Sequence, residues 1–128
     1  MITKNQLTNT FAIFTIVTAV IHFVLETLYT IEFGQNWAGI LPDYIAVCLM
    51  FLGGISVLKN IKMVGILCGA WGFTFCLHYR AWAWRYYEIS LGTSSTLVED
   101  TMNVLLYTMF ISVIAFVISL VLCYKINY

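Results

Sequence analysis

Apolar residues run along this chain in four long blocks separated by short polar stretches, and none of the blocks alternates with the period of two expected of a half-buried strand. The blocks cover residues 8–32, 41–58, 63–89 and 98–124. As helices rising about 1.5 Å per residue, each can cross a hydrocarbon layer of roughly 30 Å. Backbone groups in lipid have no water to bond, so each segment must satisfy its own, which a helix does. The expected fold is an all-α integral membrane protein with four transmembrane helices. The second helix is expected to open on Leu41-Pro42, since proline suits a first turn. The fourth is entered through a Ser/Thr-rich loop in which Thr96 and Glu99 have capping-box spacing.

Short connections predict that successive helices run antiparallel, giving an up-down-up-down bundle that occupies residues 1–128 as a single domain. The polar residues orient it. Lys4, Lys59, Lys62 and Lys125 gather at one set of helix ends, and Glu26, Glu32, Asp43, Glu88, Glu99 and Asp100 lie toward the other. The positive-inside rule therefore places both termini and the turn between helices 2 and 3 in the cytoplasm. The acidic loops face the non-cytoplasmic side of a plasma or inner membrane. The first block is expected to remain as a helix rather than be cleaved as a signal peptide, because it carries His22 and Glu26 and no small-x-small site precedes Gly34.

Composition agrees with this partition: 62% of residues are hydrophobic and 9% charged, with a mean hydropathy of +0.92. A formal net charge of zero and the absence of a basic cluster exclude a nucleic-acid partner. The glycines lie within apolar blocks, so they form no phosphate-binding loop. Cys48, Cys68, Cys76 and Cys123 have no two-residue spacing, which argues against a thiol oxidoreductase or a zinc ribbon. Gly53 and Gly54 on helix 2, with Gly65, Gly69 and Gly72 on helix 3, predict a close seam between those helices, or a contact between protomers of a homo-oligomer.

Candidate chemistry concentrates in the outer half. Counted up from the cytoplasmic ends, Glu26, Asp43 and His78 all reach a height of roughly 24 to 26 Å. His22 lies one turn below Glu26 on the same face, and Tyr107 reaches a comparable depth on helix 4. Ionisable groups inside a membrane are costly, face the bundle and find partners. A salt link from Glu26 to Arg80 or Arg85 would fasten helix 1 to helix 3. Asp43, placed in the first turn of helix 2, suits the positive end of the helix dipole. The run from His78 to Glu88 reads as an interfacial aromatic belt that also carries Arg80, Trp82 and Arg85.

These residues predict an outward-opening polar pocket centred on His22, Glu26 and His78 and flanked by Asp43, Arg80, Trp82, Arg85 and Tyr107. Its leading use is to bind a small lipophilic molecule, with His22, Glu26 and His78 as acid/base groups and Trp71, Phe75 and Trp82 as apolar walls. Ile21-His22 followed by Glu26 near the outer end of a first helix resembles the corresponding part of the emopamil-binding, sterol-isomerase-like membrane proteins. The resemblance covers one helix and implies an isomerase-type reaction or a sterol-like ligand; the other acidic positions of that family have no counterpart here. The sequence requires no cofactor. It admits a transition metal held by His22, Glu26, Asp43 and His78, although the same-helix spacing is His-xxx-Glu rather than HExxH or Glu-xx-His. The remaining alternatives are an accessory subunit docked on another membrane protein and a small proton-coupled transporter with Glu26 as its coupling carboxylate.

Overall fold

A computed structural model describes residues 3–128, which form four long helices and no strand. Helix α1 spans Lys4–Phe33, α2 Trp37–Lys59, α3 Val64–Ser90 and α4 Thr96–Asn127, with a short 3₁₀ turn, Ile61–Met63, leading into α3. All four are long and apolar enough to cross a membrane, as expected of a multi-pass membrane protein. Large apolar side chains such as Leu25, Leu28, Leu52, Val104 and Ile114 stand exposed along the middle of the helices. Such a surface calls for an apolar solvent.

The starts of α1, α2 and α4 lie outside the expected bounds because polar caps extend them. Thr3 and Gln6 form a reciprocal capping box, the Thr3 N–H donating to Gln6 Oε1 at 2.8 Å and the Gln6 N–H to Thr3 Oγ1 at 3.2 Å. Gly34 closes α1 in the left-handed region, at a φ of 71°, and donates to the Thr30 carbonyl. The second helix opens at Trp37, not Leu41, because Asn36 Oδ1 accepts the Gly39 N–H at 2.8 Å. Pro42 consequently falls in the second turn and forfeits one bond to the Ala38 carbonyl. Asp43 leaves the first turn with it, so the helix dipole does not account for that carboxylate. At α4 the cap is Ser95 rather than Thr96; Ser95 Oγ accepts from Val98, and Glu99 instead takes the Ser94 hydroxyl at 2.8 Å.

Helices adjacent in sequence pack together along α1–α2, α2–α3 and α3–α4. Gly53 and Gly54 wedge α2 between two neighbours. A Cβ at Gly54 would press into Ile16 and stand 3.0 Å from the Ala12 carbonyl oxygen of α1, while one at Gly53 would stand 3.0 Å from Leu67 of α3. The α3 glycines do not share in the expected seam with α2. Gly72 faces Phe116 and Gly65 faces Cys123, both on α4, and Gly69 meets open space. Gly54→Ala is therefore expected to separate α1 from α2 and cost about 1–3 kcal/mol by overpacking. Gly69→Ala should be neutral or stabilising by about 0.5–1 kcal/mol through helix propensity. Reversible unfolding in mixed micelles measures both, and equal effects would disprove this packing.

The centre of the bundle is Trp71, 1% exposed. Its ring stacks on Phe14 at 5.9 Å, and its Nε1–H donates to Thr15 Oγ1 at 3.0 Å. Thr15 passes its own proton to the Phe11 carbonyl at 2.9 Å, so the buried hydroxyl is satisfied on both sides. Trp71 is thus a core residue joining α1 to α3, rather than the wall of a pocket. Between α1 and α4 the packing is looser. A groove of about 400 Å³ runs there, lined by Leu7, Phe11 and Phe14 on one side and Ile111, Ile114 and Ile118 on the other.

Candidate functional site

Two turns above Thr15, on the same side of α1, His22 meets Asp43 of α2. The imidazole Nε2 lies 3.3 Å from Asp43 Oδ1 and 3.9 Å from Glu26 Oε1, one helical turn along α1. One ligand atom from each of His22, Glu26 and Asp43 lies within 4.8 Å of the other two. The side chains are 11%, 30% and 15% exposed for His22, Glu26 and Asp43 respectively, so the group is largely shielded. The pairing of α1 with α2 is fixed just beyond it, where Thr27 Oγ1 bonds Tyr44 Oη at 2.9 Å and Phe23 packs on the Tyr44 ring. Residues one position away from His22, Glu26 and Asp43 thereby hold the register that brings them together.

His78 approaches from α3. Its ring centroid is 5.4 Å from that of His22, with the planes inclined at 53°. It lies outside the 4.8 Å group and is anchored from the other side, its Nδ1 2.7 Å from Ser112 Oγ on α4. The Ser112 hydroxyl also donates to the Thr108 carbonyl at 2.7 Å. A hydroxyl has one proton, and a carbonyl can only accept it. With the Ser112 proton on the Thr108 carbonyl, His78 Nδ1 is the donor of this pair and the Nε2 of a neutral His78 carries a lone pair; with the hydroxyl turned to Nδ1 the roles reverse. The four helices thus contribute to one polar layer: Glu26 and His22 from α1, Asp43 from α2, His78 from α3 and Ser112 from α4.

Of the expected site residues, the structure brings together His22, Glu26 and Asp43, with His78 beside them. The others stand apart. Arg85 donates from Nε to Thr101 Oγ1 at 3.2 Å and from Nη1 to the Ala81 carbonyl at 3.4 Å, and Arg80 is exposed. Among the described residues no Lys or Arg nitrogen lies within 4.0 Å of a carboxylate, so the expected salt link from helix 1 to helix 3 is not formed. An arginine on the outer part of α3 can reach a threonine one helix away without giving up its hydration, which pairing with Glu26 inside the bundle would cost. Trp82 stacks on Tyr86 at 5.5 Å, its Nε1 buried without a partner. Tyr107 is 68% exposed and points away from the layer. Its position on helix 4 matched in depth but not in face.

Two apolar cavities lie outside the polar layer: the α1–α4 groove, and a recess between Phe23, Tyr44, Val47 and Leu52. Ser112 is the member of the polar layer that sequence reasoning passed over, having taken it for a packing residue. A signal was present. Thr101, Thr108, Ser112 and Ser119 recur at intervals of seven and four along α4, a polar stripe turned toward the bundle, with Ser112 and Ser119 buried. No protein-family model, no curated protein and no solved structure matches the chain. The likeness to the sterol-isomerase-like proteins rests on Ile21, His22 and Glu26 alone.

Proposed function

We propose that this chain is a multi-pass integral membrane protein that binds a cation in the outer half of the bundle through His22, Glu26 and Asp43. The observation that carries this is the convergence of one nitrogen and two carboxylate donors within 4.8 Å of one another. Charge supports it as well. Two carboxylates at this separation repel by about 3 to 4 kcal/mol at an effective dielectric constant of about 20. No Lys or Arg among the described residues lies within 4.0 Å of them, so at contact distance only a protonated His22 or a bound cation can offset the two charges, and we assign that part to the cation. The helices run up-down-up-down, an order that the contacts of Gly54 with Ala12 and of Asp43 with His22 favour. Both termini are cytoplasmic and the site opens toward the side of the acidic loops.

Metal analysis of protein purified in detergent tests this. Wild type is expected to retain a divalent cation near stoichiometrically after dialysis, and His22→Ala, Glu26→Gln and Asp43→Asn to retain less than a tenth as much. Equal metal content in all four proteins would disprove cation binding at this cluster. Sidedness is tested separately, by labelling single cysteines placed at Ser94 and Asn60 in a background without the four native cysteines. Ser94 should react with an impermeant reagent from outside and Asn60 only after lysis.

A small lipophilic molecule is the second candidate ligand, favoured by the α1–α4 groove, whose lining is almost wholly hydrocarbon. Native mass spectrometry tests it: a retained lipid-like mass, lost when Phe11 is replaced by Trp to fill the groove, would establish that ligand.

A further inference from the structure

Building on the proposed cation site, we infer that its occupant is a first-row transition-metal ion of the imidazole-preferring kind, such as zinc or cobalt, and that His78 is the fourth protein ligand. Donor spacing is the first reason. Around a tetrahedral ion with bonds of about 2.0–2.1 Å, neighbouring donor atoms stand about 3.3–3.4 Å apart. His22 Nε2 and Asp43 Oδ1 already stand at 3.3 Å, and Glu26 Oε1 at 3.9 Å from the same nitrogen. Calcium sites are larger, with six to eight oxygen ligands, and magnesium sites keep several waters.

The two imidazoles give the second reason, independent of the carboxylates. The centroid of a bound imidazole lies roughly 3.2 Å from its metal, so a tetrahedral pair of rings has centroids about 5 Å apart. The His22 and His78 rings are 5.4 Å apart at 53°. The hydrogen-bond chain behind His78 suits the same role. When Ser112 donates to the Thr108 carbonyl, His78 Nδ1 donates to Ser112 and Nε2 on the opposite edge of the ring is free to bind a metal. A ligating histidine that donates its other N–H to an outer partner is the usual arrangement in such sites. The His78 ring is anchored at Nδ1 on α4 and stands 5.4 Å from the His22 ring, centroid to centroid. His78 lies outside the 4.8 Å group, so an approach of α3 to α1 is needed to complete a set of two nitrogens and two oxygens.

Ser112 then acts through His78 as a positioning residue. Loss of such an outer hydrogen bond typically costs 10- to 100-fold in metal affinity.

The test is cobalt titration of metal-stripped full-length protein in detergent, read by visible absorption. Wild type is expected to bind one equivalent with the intense bands of a tetrahedral ion, to lose them to zinc, and to keep them in excess magnesium or calcium. His78→Gln should weaken cobalt affinity at least tenfold and alter the bands, a water taking the vacated position. Ser112→Ala should weaken affinity 10- to 100-fold with unchanged helicity, and Ser112→Thr, which keeps the hydroxyl, should restore it. Weak octahedral bands, displaced by magnesium and unaffected by His78→Gln, would overturn the inference while leaving cation binding at His22, Glu26 and Asp43 intact. Absence of any bound cation would overturn both. If His78→Gln fails to fold, Ser112→Ala and the competition series on wild type still decide the matter.

Discussion

Asp43→Asn is expected to separate two properties that normally move together, abolishing stabilisation by zinc while leaving the metal-free protein as stable as wild type or more so. In the metal-free state Asp43 and Glu26 stand within 4.8 Å of one another, with no Lys or Arg partner among the described residues. Neutralising Asp43 relieves their repulsion, while the amide of Asn still accepts a hydrogen bond from His22. In the loaded state the same change removes an anionic ligand. Zinc at a hundred times its dissociation constant should stabilise wild type by about 2.7 kcal/mol, and the variant by almost nothing. Unfolding in detergent with and without zinc measures both quantities. A variant destabilised without metal that keeps its response to zinc would show that Asp43 serves as a structural clamp between α1 and α2. Such a trade between stability and function is common where like charges are gathered for a ligand.

The second large effect lies in the core. Trp71→Ala should cost about 3–5 kcal/mol and loosen α1 from α3. In lipid this cost does not come from hydrophobic transfer, since the surroundings are as apolar as the core. It comes from lost van der Waals contact and the lost bond to Thr15. Trp71→Phe separates the two terms. Thr15 keeps its bond to the Phe11 carbonyl, so this variant should lose only about 1 kcal/mol. If alanine and phenylalanine cost the same, the hydrogen bond rather than the packing holds the two helices together.

The four helices were legible because apolar blocks of spanning length leave little choice in lipid. Their ends were less so. Thr3-x-x-Gln6 and Asn36 are recognisable caps, but both lie in polar flanks that an apolar window discards, while Pro42 looks like a start signal and sits in the second turn. Within the site, a common height on the helices identified Glu26, Asp43 and His78, and the four-residue spacing added His22. Height alone cannot give azimuth, and azimuth decided the rest: Tyr107 lies at a comparable depth and faces outward, and Arg80 is exposed. The glycines misled for the same reason, since Gly65 and Gly72 turn toward α4 and not toward α2. Ser112 escaped because a serine in an apolar helix reads as a small packing residue until a histidine is found 2.7 Å away.

The connection between α1 and α2 is short, Gly34 to Asn36, and the two helices it joins carry His22, Glu26 and Asp43. Chains emerge from the ribosome N-terminus first. Three of the four proposed donors therefore lie on the helix pair that is made first and joined by the α1–α2 turn, so that pair carries most of the proposed site before α4 joins it. The later arrival of α3 adds His78, and α4, last of all, locks that ring through Ser112.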